Sequence, residues 1–254
     1  MMLLRTTMVL LLGGLLTACV STGHQDPLKT AEGREAARDA YVKLGIGYLQ
    51  KGNTEQAKVP LKQALELDAS NADAHAALAL VFQTEMEPTL ADEHYRKALS
   101  ARRDARILNN YGGFLFEQQR YADAYARFQE AAEDNLYPER SRVYENLGLT
   151  SLRLGQRPQA LQHFEKSLRL NRNQPRVLLE MAQLSFEDRQ YVPARGYYER
   201  YLALKGPQDA RSLLLGIRLA KVFEDRDRAS NYAMQLRRLY PGTAEYRQYL
   251  AEQQ

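Results

Sequence analysis

The chain has little of what most enzymes and metalloproteins rely on. It has 254 residues with no tryptophan, a single cysteine, four histidines, 15 glycines and 9 prolines. One cysteine, Cys19, excludes an internal disulfide framework and a thiolate metal cluster. Glycine and proline are too few for a collagen-like or low-complexity chain. Neither sign of charge dominates: 35 Lys and Arg stand against 31 Asp and Glu, and acids and bases alternate. The net +4 falls to +3 without Arg5, and no basic stripe forms the footprint of a nucleic-acid binder. β-Branched residues are sparse beside Leu, Ala and Tyr, which favours helix on propensity alone.

What is present begins with an address. Residues 1–18 combine Arg5, an apolar run from Met8 to Leu16, and the small pair Thr17-Ala18. A positive start, a short apolar core and small residues describe a secretory signal. The run falls short of the roughly 20 residues of a membrane span. Leu16-Thr17-Ala18-Cys19 is similar to the bacterial lipobox. That likeness implies cleavage before Cys19, lipidation of its thiol, and stable anchoring by several acyl chains. Val20 stands where an aspartate would signal inner-membrane retention, so the expected location is the periplasmic leaflet of the outer membrane. Residues 19–35 lack apolar periodicity and are expected to be a flexible tether reaching about 20–25 Å.

From residue 36 to 254 the chain repeats itself. Ala57, Ala91, Ala124, Ala160, Ala194 and Ala229 recur at intervals of 34, 33, 36, 34 and 35. Twelve residues before them stand Gly45, Ala79, Gly112, Gly148, Ala182 and Ile217; four after them stand Leu61, Tyr95, Phe128, Phe164, Tyr198 and Ala233. Small residues on two antiparallel helices permit close approach, and a bulky residue one turn on fills the remaining space. The period resembles the tetratricopeptide repeat. The expected fold is all-α, a right-handed superhelical solenoid of about six repeats at 38–71, 72–104, 105–140, 141–174, 175–209 and 210–242. A capping helix is expected at 243–254, with Tyr246, Tyr249 and Leu250 covering the last apolar face. Gly52 and Gly155 mark turns within pairs; Pro175, Pro207 and Pro241 mark breaks between them.

No constellation for catalysis emerges. His24 lies in the tether, and His75, His94 and His163 form no spaced ligand pair. Gly45-Ile46-Gly47 and Gly112-Gly113 follow no strand and lack the Lys-Ser/Thr of a phosphate loop. The expectation is no catalytic residue, no metal, no cofactor, no small-molecule substrate and no nucleic acid: a protein that binds protein.

In repeats of this kind the first helix of each pair lines a groove. That places Val42, Ile46, Leu49, Gln50, Ala76, Leu80, Gln83, Asn109 and Phe116 on the expected partner-binding face. Further along, Arg142, Arg153, Arg176, Arg211, Arg218 and Lys221 make it basic. An apolar strip suits an amphipathic helix or an extended segment. Asn109 and Asn146 either bond a partner backbone or hold neighbouring helices together.

Asn109-Asn110-Tyr111-Gly112-Gly113-Phe114-Leu115-Phe116 and Tyr144-Glu145-Asn146-Leu147-Gly148-Leu149, with the lipobox and the repeats, resemble the type IV pilus biogenesis and stability lipoproteins, the pilotins of the pilus secretin. The resemblance implies a periplasmic lipoprotein that binds the secretin subunit and promotes its localisation and multimer assembly at the outer membrane. Two other scaffold roles stay open on the residues alone, in outer-membrane β-barrel assembly and in regulation of cell-wall enzymes.

Overall fold

A computed structural model of the chain describes residues 27–204, 206 and 208–253. The signal segment, Cys19, the first part of the expected tether and Pro207 lie outside the described residues. Among them are thirteen α-helices and no strand. The fold is an all-α tetratricopeptide solenoid, and its contacts divide it into two compact units between Arg102 and Arg103.

The first unit holds a 3-10 turn (Pro27–Lys29), α1 (Ala31–Gln50), α2 (Thr54–Leu67), α3 (Ala72–Thr84) and α4 (Pro88–Ala101). The second holds α5 (Ala105–Glu117), α6 (Tyr121–Glu133), α7 (Arg140–Arg153), α8 (Arg157–Leu170), α9 (Pro175–Glu187) and α10 (Tyr191–Ala203). It continues through α11 (Ala210–Val222), α12 (Arg226–Leu239) and α13 (Ala244–Ala251).

Helix α1 starts seven residues before the first expected repeat, so residues 31–35 are helical and the tether is shorter than the sequence suggests. The Thr30 hydroxyl accepts the Gly33 N–H at 3.0 Å, and the alanines that follow propagate helix without an apolar stripe. Asn71, Asp104 and Asp209 cap α3, α5 and α11 in the same way. Several second helices lack a side-chain cap, and α4 and α8 instead carry Pro88 and Pro158 in the first turn, where a missing N–H costs little.

Each hairpin turns identically. Gly52, Met86, Gln119, Gly155, Arg189 and Glu224 all have positive φ, from 57 to 77°. The next residue's N–H donates to the carbonyl five back, as in Asn53 to Tyr48 at 3.0 Å and Gln156 to Ser151 at 2.8 Å. This is the left-handed helix end that glycine favours, and four of the six positions are not glycine.

The small first-helix residue receives the bulky residue sixteen positions on. A Cβ at Gly45 would lie 2.5 Å from Leu61, and one at Gly112 would lie 2.6 Å from Phe128. Gly148 faces Phe164 in the same way. Leu61, Tyr95, Phe128 and Phe164 are fully buried, as are Ala57, Ala91, Ala124, Ala160 and Ala194. The sixth repeat departs from the expected register by one residue. Its contact glycine is Gly216, packed against Tyr198 and Tyr232. Ala229 is only half-buried and is not the packing alanine, while Ile217 points into the core beside Leu236. The neighbouring Gly216 satisfies the close approach, which frees position 217 for a large side chain.

The last helix, α13, lays Tyr246 and Tyr249 against the core of Leu213, Leu214, Ile217 and Leu236.

Candidate partner-binding site

In the first unit the expected groove residues separate into two sets. Val42 and Ala76 are buried, Val42 against Ala64 and Ala74. Neither is available to a partner, because both sit where the first two hairpins pack together. Ile46 and Leu49 are half-buried, resting on Ala77, Leu78 and Val81 while keeping part of their surface in solvent. Leu80 is half-buried, Gln50 is exposed, and the Gln83 side-chain carbonyl accepts the Tyr95 hydroxyl at 2.9 Å. What is left to a partner is a short neutral strip: Ile46, Leu49, Gln50 and Leu80.

The same unit contains a contact the sequence did not signal. His75 Nδ1 lies 3.0 Å from His94 Nδ1, and His75 Nε2 lies 3.1 Å from the Ala69 carbonyl. A carbonyl only accepts, so Nε2 carries the His75 proton, and His75 Nδ1 accepts from His94 Nδ1–H. Burial pushes both imidazoles below their ordinary range, and the adjacent ring helps take His94 down to about 4. The two are 19 residues apart on different helices, a spacing no ligand motif uses. Among the described residues no three His, Cys, Asp or Glu side chains converge.

In the second unit Asn109 is buried, and its side-chain Oδ1 accepts a hydrogen bond from the Asn146 side-chain N–H at 3.0 Å. Asn109 therefore joins α5 to α7 and is not on the partner-binding face. Phe116 does reach the surface. With Leu149, Leu152, Leu179 and Tyr201 it forms the apolar wall of a cleft of about 570 Å³ lined by α5, α7, α9, α10 and α11. A smaller niche of about 140 Å³, bounded by Gly113, Glu117, Phe128 and Asn146, shares Phe116, Leu149 and Arg176 with that cleft.

The basic side chains around this cleft are not equivalent. Arg211 grips the buried Glu180 carboxylate with both terminal nitrogens, at 2.5 and 2.8 Å. Arg218 is bonded to Glu252, Arg142 lies 3.8 Å from Glu139, and the Lys221 ammonium sits 5.8 Å from the Tyr249 ring. Asp209 is committed to the Ser212 N–H. Arg153 and Arg176 line the cleft, and among the described residues neither forms a hydrogen bond or ion pair. Nearby, burial raises the Glu145 carboxyl, with Arg176 and Arg142 opposing the rise.

Six antiparallel helix pairs with this recurring small-to-large contact define a tetratricopeptide repeat protein. The tetratricopeptide repeat family model matches residues 103–173, and a second model, TPR repeat, matches residues 47–84. Over 252 residues the chain is 66% identical to the type IV pilus assembly protein PilF of Pseudomonas aeruginosa, covering 99% of this chain and 100% of that one. The chain belongs to the PilF family of type IV pilus assembly proteins. A solved structure of Pseudomonas aeruginosa PilF superposes with a TM-score of 0.84 at 68% identity, covering 87% of this chain and 99% of that one. The crystal structure of PilW, a widely conserved type IV pilus biogenesis factor, superposes with a TM-score of 0.72 at 29% identity over 84% and 98%.

Proposed function

We propose that this protein is an outer-membrane lipoprotein of type IV pilus biogenesis that binds the secretin subunit and promotes its localisation and multimer assembly. Lipid on Cys19 supplies the membrane address, the segment before α1 supplies reach, and the repeat domain supplies grip. The observation that carries the reading is the half-exposed strip Ile46, Leu49 and Leu80, neutral and apolar on a scaffold with no converging metal ligands among its described residues. Membership of a pilus assembly family and the lipobox at Leu16–Cys19 support the same reading.

The test uses three variants in the native host. Gene deletion is expected to abolish both the heat-stable secretin multimer and twitching motility. Cys19→Ser is expected to release the protein from the membrane fraction and to strand the secretin. Ile46→Glu, with helical content unchanged, is expected to weaken capture of the secretin subunit by at least about tenfold, since a carboxylate would be forced against apolar surface. Intact multimer and motility after deletion would overturn the reading.

A further inference from the structure

The second unit gathers cations on a surface built by its second helices. A shallow cleft of about 430 Å³ is lined by Leu168, Tyr197, Arg169, Arg172 and Arg200, and Glu165 is the one acid among the described residues that line it. These residues come from α8, the turn after it and α10, and none of them lines the cleft beside Phe116. Arg169 lies 3.7 Å from Glu165, so that pair cancels. One Arg200 nitrogen donates to the Arg172 carbonyl at 3.2 Å, which holds the guanidinium in place without neutralising it. The charged neighbours on the same helices are directed elsewhere: Glu199 toward Arg228 at 4.0 Å, Lys166 over the Tyr144 ring and Arg195 over the Phe223 ring. The carbonyl ends of α8 and α10 together offset about one charge, so a positive excess of about one remains. The bias is regional, since bases outnumber acids in residues 103–254 and do not in residues 27–102.

We propose that this patch docks on the headgroups of anionic phospholipids, with Arg169, Arg172 and Arg200 pairing with lipid phosphates. Guanidinium groups crowded around a single carboxylate repel one another, and an anionic surface relieves that repulsion. Arginine suits the role because its planar fork binds phosphate through two parallel hydrogen bonds. A membrane fits better than a small anion, because it presents many phosphates in one plane to an open, shallow surface. The half-buried Tyr197 ring, 5.8 Å from the Arg200 guanidinium, adds the aromatic character of residues that sit at headgroup level. For a chain anchored at Cys19 the headgroups are also the anions at the highest local concentration, and in that clause the proposal rests on the lipoprotein reading above. Docking through α8 and α10 uses no residue of the Phe116 cleft, which stays available to a protein partner.

The experiment floats the full mature chain, carrying Cys19→Ser so that no acyl chain holds it, with two kinds of vesicle. One is phosphatidylcholine alone, and in the other a quarter of the lipid is phosphatidylglycerol. Each cation near an anionic leaflet strengthens partition about fivefold, so the anionic vesicles are expected to bind roughly tenfold more tightly, an advantage lost as salt rises. Arg169→Gln, Arg172→Gln and Arg200→Gln combined should bring binding down to the phosphatidylcholine level. Their thermal midpoint should hold, because all three side chains are exposed. Arg226→Gln, Arg237→Gln and Arg238→Gln remove the same net charge from exposed positions of α12 and should keep most of the preference. Equal binding to both vesicles, or equal loss in the two triple variants, would overturn the proposal. So would inorganic phosphate binding that the first triple variant loses while the vesicles show no preference.

The same proteins are then tested, in neutral detergent, for capture of the purified secretin subunit, which both triple variants should capture as the native chain does. Capture without any vesicle preference would sink the lipid proposal while the secretin reading stands. A vesicle preference that the first triple variant loses, with no secretin capture by any form, would sink the secretin reading and leave the lipid contact in place. Loss of capture confined to the first triple variant would assign these arginines to the protein partner and overturn the lipid proposal.

Discussion

The two units use the same hairpin to make different surfaces. In the first, the expected groove residues that stay available are Ile46, Leu49, Gln50 and Leu80, all neutral, and its bidentate Arg102–Asp73 pair is exposed. In the second, the corresponding helices carry Arg153, Arg176 and Arg211, and one carboxylate, Glu180, is buried beneath them. The repeat constrains only the positions between helices, where a small residue must meet a large one. The outward positions are free to vary, so one unit carries a neutral strip and the other carries charged side chains.

The sharpest way to break this comparison is to remove one arginine from each unit. Arg211→Leu strands the Glu180 carboxylate away from water and should cost about 3 kcal/mol, whereas Arg102→Leu, whose partner stays solvated, should cost less than about 1 kcal/mol. Urea midpoints measure both, and equal losses would mean that Glu180 is not sheltered as described. Next come the contact glycines. Gly112→Ala and Gly148→Ala drive a methyl into a rigid phenyl ring and should cost about 2 kcal/mol each. Gly45→Ala meets the branch carbon of the fully buried Leu61, with the Ala57 carbonyl 3.2 Å away, and should likewise cost about 2 kcal/mol, read from thermal midpoints.

Acid should separate the units less strongly. The folded pKa of His94 lies near 4, below the ordinary 6.5, and that of His75 is also lowered. Neutral rings therefore stabilise the first unit above about pH 6.5, and that contribution falls away as pH drops toward 4. Allowing for partial exposure, the loss is about 1 kcal/mol by pH 5. In the second unit His163 is lowered by burial, with no second imidazole opposite it. Hydrogen exchange at pH 7 and pH 5 should show α3 and α4 losing more protection than α7 and α8, and His94→Phe should remove most of the difference. The smallest effect is shared. Met86→Gly in one unit and Gln119→Gly in the other relieve a left-handed backbone, and each should stabilise by roughly 0.5–1 kcal/mol.

The architecture was legible in the residues because its cause is local and repeated. Close helix approach demands a small side chain at a set interval, and five of the six hairpins show it at the expected position. The sixth misled because Gly216 and Ile217 adjoin, and the alanine spacing pointed to the wrong one of the two. The start of α1 was hidden because alanine-rich helix without an apolar stripe reads like a linker. The partner-binding face was only partly legible. Val42, Ala76 and Asn109 occupy positions that count as outward in an idealised repeat, yet here they meet the adjacent hairpin. Whether an arginine closes an ion pair, as Arg211 does with Glu180, depends on residues about 30 positions away. Nothing in the local sequence reports it.

The small helix α13 has no fully buried residue, yet it governs what the carboxyl-terminal end of the molecule can touch. Without Tyr246 and Tyr249, the apolar side chains of α11 and α12 would form a template on which another chain's hairpin could continue the array. A protease cut after Pro241 should therefore convert a discrete particle into a growing fibre, visible as light scattering that rises with protein concentration.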